Sequence, residues 1–221
     1  MRILPTTFLF FVTIALCARQ ASAQPPKSVE FPNCNETRFP SPDGRWEVVA
    51  AASPYLCPDA GNVHDVAAFP KEPTPLALRL SPTNRNPGSN RELPFDGSNG
   101  SIGWSTDSQS FFVNEHIASN DNEAYVYRAT EVSMRIDLGR LIRNADYSAR
   151  KLSTGHRYTF AREWLDNHTV LVQYCGHTDD YPVVQFDFRY RVTLNEGLQK
   201  VSTWHGHPNM TKGDCVWRDI R

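Results

Sequence analysis

Near its C-terminus the sequence gathers residue types that can hold a metal ion or move a proton. Cys175-Gly176-His177-Thr178-Asp179-Asp180 follows an apolar run, and His205-Gly206-His207 comes shortly before Asp214-Cys215. A Cys175–Cys215 bond would draw the two segments together. His177, Asp179, His205 and His207 would then be the candidate ligands of a divalent ion such as zinc, or the groups of a general acid–base site. The plainer alternative is that all of them are loop residues beside a disulfide. A separation of two on a strand puts the rings of His205 and His207 on one side whatever they do. Elsewhere the chain carries no Gly-x-Ser-x-Gly elbow, no His-Glu-x-x-His, no phosphate-binding P-loop and no dinucleotide glycine fingerprint. The common hydrolase and nucleotide-binding classes are disfavoured, and no residue is assigned as catalytic.

A second set of residues fits recognition rather than chemistry. Tyr55, Tyr125, Tyr127, Tyr158, Tyr181 and Trp204 fall in or beside expected loops, among many arginines. Aromatics next to Arg favour protein contacts and also stack on peptides or sugars. The competing expectation is that most of these rings fill sheet faces.

The elements that would position either set belong to an exported chain. Arg2, the apolar core Phe8–Leu16 and the small-x-small triplet Ala21-Ser22-Ala23 form a signal-peptide pattern over residues 1–23. The apolar core is too short to span a bilayer, and no later stretch is apolar enough. The expected mature chain, 24–221, is a single β domain located in the periplasm or outside the cell. It carries 21 basic and 24 acidic residues, a net charge of −3. That balance gives no reason to expect nucleic acid or anionic lipid as a partner.

Four cysteines remain after the leader: Cys34, Cys57, Cys175 and Cys215. An even number in an exported chain reads as two disulfides with three possible connectivities. The nearest-neighbour pairing, Cys34–Cys57 and Cys175–Cys215, is preferred because each bond closes a modest loop.

Strand periodicity dominates. Phe186, Phe188, Tyr190, Val192 and Leu194 alternate with Asp187, Arg189, Arg191 and Thr193, which puts one apolar and one polar face on a single strand. Further strands are expected at 46–51, 76–80, 110–115, 124–129, 133–138, 169–174 and 198–203, and only Leu138–Ala145 has a helical pattern. Frequent Pro and Gly suit hairpin loops, so the expected class is all-β with antiparallel sheets.

One element repeats. Ser41-Pro42-Asp43-Gly44 places turn-forming residues ahead of the apolar run Trp46–Val49. Trp104-Ser105-Thr106-Asp107 and Trp164-Leu165-Asp166-Asn167 precede Phe111–Val113 and Thr169–Val172 in the same way, and the aspartates lie 64 and 59 residues apart. A leucine, a glycine, a tryptophan, an Asp-bearing turn and an apolar strand together resemble the repeat of TolB-like and WD40-like β-propeller proteins. That resemblance implies a partial or irregular propeller-like array of about three units. It makes Asp43, Asp107 and Asp166 structural turn residues and places Trp104 and Trp164 between sheets. A β-sandwich with similar hairpin turns is the alternative.

Two functional expectations follow. The first is a non-catalytic binding protein for a protein, peptide or glycan, with no cofactor. The open edges of an incomplete ring would also favour a homo-oligomer. The second is a metal-dependent hydrolase that uses the His/Asp cluster.

Overall fold

The computed structural model describes residues 29–31, 36–51, 77–83, 90–97, 99–118, 120–206 and 215. The fold is mostly β with antiparallel sheets. Residues 1–23, the expected leader, lie outside the described residues. Among the described residues no helix is long and apolar enough to cross a membrane.

Most strands fall into three four-stranded antiparallel meanders. The first comprises β2 (Thr37–Pro40), β3 (Trp46–Ala50), β4 (Leu78–Pro82) and β5 (Arg91–Leu93). The second comprises β6 (Asn99–Trp104), β7 (Ser110–Ala118), β8 (Asp121–Arg128) and β9 (Glu131–Asp137). The third comprises β10 (His156–Trp164), β11 (Thr169–His177), β12 (Gln185–Thr193) and β13 (Gly197–Gly206). A short strand, β1 (Val29–Phe31), pairs with β6. The start of β10 pairs in parallel with the start of β8, which fuses the second and third meanders into one nine-stranded sheet. At that point β8 forks, because β9 occupies the rest of the same edge.

The repeated Asp turn sits at the same place in each meander, between its first and second strands. Asp43 Oδ1 accepts from Arg45 N at 2.9 Å, Asp107 Oδ1 from Gln109 N at 3.0 Å, and Asp166 Oδ1 from His168 N at 2.7 Å. Two residues along is the reach of an Asx turn. The hydroxyls of Ser41 and Ser105 close the first two loops by donating to Asp43 and Asp107 and accepting from Trp46 N and Ser110 N. The third turn has Leu165 where these serines stand, and Asp166 supplies the missing closure by also accepting from Thr169 N. In the first two loops the backbone turns left-handed one residue after the aspartate, at Gly44 (φ 69°) and at Ser108 (φ 63°).

Alternation along β7 and β8 splits the core in two. Phe111, Val113, Tyr125 and Tyr127 join Phe39, Val48, Ala50, Leu78, Leu80 and Leu93 of the first meander. Phe112, Ala124 and Val126, from the intervening positions, join Val170, Val172, Tyr174, Phe186, Phe188 and Tyr190 of the third. The central meander is thus buried on both faces, which is why its strands read as apolar runs rather than as strict alternation. Helices α1 (Leu138–Ala145) and α2 (Tyr147–Leu152) connect β9 to β10 and contribute Leu138, Ile142 and Ala149 to the second cluster. Asp137 and Asp146 cap them, accepting from Arg140 N and from Ser148 and Ala149 N.

The two tryptophans of the repeat bind one meander to the next. Trp104 Nε1 donates to the carbonyl of Phe39 and Trp164 Nε1 to the carbonyl of Gly103, each at 3.0 Å. Both acceptors are strand carbonyls one repeat back, near the end of that repeat's first strand. The residue after each later turn aspartate reaches back in parallel fashion. Asp43 N donates to Ser108 Oγ at 3.0 Å, and Asp107 N to Asn167 Oδ1 at 3.2 Å.

Candidate functional site

The C-terminal residues singled out from the sequence are only partly brought together. Cys175, on β11, is bonded to Cys215, with Cα atoms 5.4 Å apart across 40 positions of sequence. Cys34, Cys57, His207 and Asp214 lie outside the described residues. His177 Nδ1 stands 3.9 Å from Asp179 Oδ1 and 3.2 Å from the Thr178 carbonyl oxygen. His205, on β13, is opposite Phe186, whereas His177 is opposite Gln185. Cross-strand partners share a face and adjacent residues do not, so His177 and His205 occupy opposite faces of the third meander. The imidazole that does meet His177 is that of His156, its partner on β10, stacked at 4.2 Å between ring centroids. Tyr158 OH lies 3.3 Å from His156 Nδ1. Among the described residues no group of three or more His, Cys, Asp or Glu side chains is arranged to hold a metal ion.

The aromatic set divides sharply. Tyr125 and Tyr127 are core residues, and Tyr127 OH donates to the Pro94 carbonyl. Burial pushes the phenol of Tyr127 up to about 12 and raises that of Tyr125 as well. Tyr158 is half-buried on the same face of β10 as His156 and Phe160. Tyr55 lies outside the described residues, as does the side chain of Trp204. Tyr181 is 97% exposed.

Tyr181 belongs to the connection between β11 and β12, and that connection is fastened at its base. Thr178 N donates to the Val184 carbonyl, and Val184 N donates to Thr178 Oγ1, both at 3.0 Å. Thr178 is buried, and its hydroxyl donates to the Asp180 carbonyl at 3.4 Å. Asp179 and Asp180, beside the ring in sequence, are exposed. Asp179 packs where Gly155 has no side chain; a Cβ there would fall 2.7 Å from the carboxyl carbon. The loop therefore has a closed base, carries Tyr181 outward, and has two exposed aspartates, of which Asp179 packs over Gly155.

A polar cluster that the sequence does not announce lies at the β8 fork. Glu115 on β7 and Glu123 on β8 are direct cross-strand partners, 0% and 6% exposed. Arg135 Nη1 is 3.8 Å from Glu115 Oε1; Arg143 Nη1 and Arg157 Nε are 3.5 and 3.8 Å from Glu123 Oε1. Arg157 makes its short bond instead to Asp121, at 2.8 Å. Burial pushes both glutamates up to about 7. At Glu115 the Asp96 N–H and Arg135 oppose the rise; at Glu123 Arg143 and Arg157 oppose it, while Asp137 and Asp121 add to it. Glu123 Oε2 and Thr159 Oγ1 are buried without a hydrogen-bond partner among the described residues. Both border Gly139 in the first turn of α1, where a Cβ would come within 2.5 and 2.7 Å of them.

No protein-family model and no curated protein matches this chain.

Proposed function

We propose that this chain is an exported binding module built from three propeller-like units, and that it recognises a protein, peptide or glycan. The observation that carries the reading is the 178–184 loop, which holds Tyr181 almost wholly in solvent on a base fixed by hydrogen bonds. A ring presented this way offers large contact area and loses little conformational freedom on binding. Asp179 and Asp180 immediately precede it and are exposed, so a cationic peptide segment fits best, its Lys or Arg stacking on the ring in an acidic stretch of the loop. Export is supported by the Cys175–Cys215 bond, which persists in oxidising compartments, and by the leader-like residues 1–23. The propeller-like reading is supported by the position of the Asp turn in each meander and by the indole bonds that recur from one to the next. A metal-dependent hydrolase would need His177 and His205 on one side of the sheet, and they stand on opposite sides.

The test is selection of a random peptide library and probing of a glycan array with oxidised residues 24–221. Wild type is compared with Tyr181→Ala and with Tyr147→Ala, which removes an exposed ring elsewhere. Ligands enriched in Lys and Arg are expected, with affinity that falls tenfold or more in Tyr181→Ala and is unchanged in Tyr147→Ala. Ligands that bind Tyr181→Ala as well as wild type, or no enriched class at all, would overturn the proposal.

A further inference from the structure

The fork in β8 places two carboxyl groups where a pair of negative charges is hard to keep. Glu115 and Glu123 are opposed in register, so their Cβ atoms stand roughly 5 Å apart on one face, a spacing at which like charges repel. The chain surrounds them with charged and titratable groups from several elements. Asp96 comes from the segment before β6, and Arg135 with Tyr125 from β9 and β8. Asp121 lies at the start of β8, Asp137 and Arg143 belong to the cap and body of α1, and Arg157 opens β10. Three arginines form ion pairs with these glutamates, at the long end of the range. Each stands 3.5–3.8 Å from its glutamate, and Arg157 is already committed to Asp121.

We propose that Glu115 and Glu123 form a proton-binding site that latches the fork between the second and third meanders. The ligand is a solvent proton, bound as a carboxylate becomes a carboxylic acid, with no other bond made or broken. With protons bound, the opposed pair is neutral, and the end of β7 and the start of β8 stay seated against α1 and β10. When both lose their protons, two charges are left buried on paired strands, and the one on Glu123 lies against the first turn of α1 at Gly139. This goes beyond the binding reading and does not depend on it, because proton binding and its effect on unfolding are read without any ligand.

The sign of the pH dependence follows from the direction of the shifts. Both groups sit near 7 in the folded chain, above the ordinary glutamate value of 4.5. Their contribution to stability is whole below about pH 4.5 and is lost as pH rises through 7. Between pH 5 and pH 8 the unfolding equilibrium constant of the oxidised protein should rise on the order of 100-fold for each group that behaves this way. Urea unfolding across that range compares wild type with Glu115→Gln, Glu123→Gln and the double variant, and the double variant should have a flat profile. A carboxyl-carbon NMR titration of the wild type, labelled at glutamate, decides the matter even if a variant fails to fold. Two glutamate resonances with midpoints near 7 are expected. Midpoints below 5 for every glutamate, or a double variant with the wild-type pH slope, would overturn the proposal.

Discussion

At the seam between the first and second meanders, Trp104 donates to Phe39 and packs on Phe111 within a cluster made of aliphatic and aromatic side chains. At the seam between the second and third, Trp164 donates to Gly103 and packs on Phe112, but two helices enter beside it. One rule therefore builds both seams: an indole N–H spent on a strand carbonyl one repeat back, and a turn amide donating to the residue after the next turn aspartate. What differs is the filling. The first seam closes on side chains of the strands and the 95–97 segment, while the second recruits Leu138, Ile142 and Ala149 from the connection between β9 and β10. Where that connection departs, the sheet forks and the polar cluster of Glu123, Arg143 and Arg157 appears. An insertion between repeats thus brings charge to the margin of a seam whose tryptophan bond is kept.

If the seams are equivalent in their tryptophans, truncating either one should cost the most. Trp164→Ala should destabilise the protein by about 3–5 kcal/mol, and Trp104→Ala by a similar amount, measured by urea unfolding. A much smaller loss at Trp104 would mean that the first seam is held by its strands alone. Replacing Cys175 and Cys215 together by Ser should cost about 4 kcal/mol, since the bond closes 40 residues of chain. That loss tests whether the third meander is stabilised from its C-terminal side as well as at the seam. Ser108→Ala removes one inter-repeat hydrogen bond and should cost about 1 kcal/mol, whereas Asn167→Ala removes two, from Asp107 N and the Thr106 hydroxyl, and should cost about 2 kcal/mol in the same unfolding measurement. A larger loss at Asn167 would support the bonds seen at the two turns, and no loss at either would contradict them. The smallest effect is expected on the first meander, where Arg38 bridges Glu36 and Glu47 and Arg79 also meets Glu36. These groups are partly solvated, so Glu47→Gln should change stability by less than about 1 kcal/mol.

The parts of this fold that depend on neighbours along the chain are legible in the amino-acid sequence. The alternation from Phe186 to Leu194 marks β12 almost to the residue, and Leu138–Ala145 is a helix with those same bounds. The aspartates of the repeat stand in turns because Asx hydrogen bonds reach only two residues. The first strand of each meander leaves no such mark, for local reasons. β2 is four residues long and ends in Pro40, and β6 contains two glycines. In β10 a bulge between Ala161 and Glu163 breaks the alternation that would reveal it. The indole acceptors of Trp104 and Trp164 are strand carbonyls 65 and 61 residues away, beyond the reach of any local pattern. Glu115 and Glu123 carry no sequence mark of their burial, since nothing within either strand shows that β9, α1 and β10 converge on them. Of the aromatic set, only burial separates Tyr181 from Tyr125 and Tyr127, and burial depends on which faces the meanders turn to each other.

Hydrogen exchange at the indole N–H groups probes the repeated bond between meanders at the atoms that make it. In the folded, oxidised protein the Trp104 and Trp164 Nε1 protons should exchange slowly, with protection close to that of global unfolding. Trp46, only partly buried at the margin of the first seam, should exchange faster. Exchange at Trp104 or Trp164 as fast as at Trp46 would contradict the repeated seam, because that indole could not then be sealed against the carbonyl of the preceding repeat.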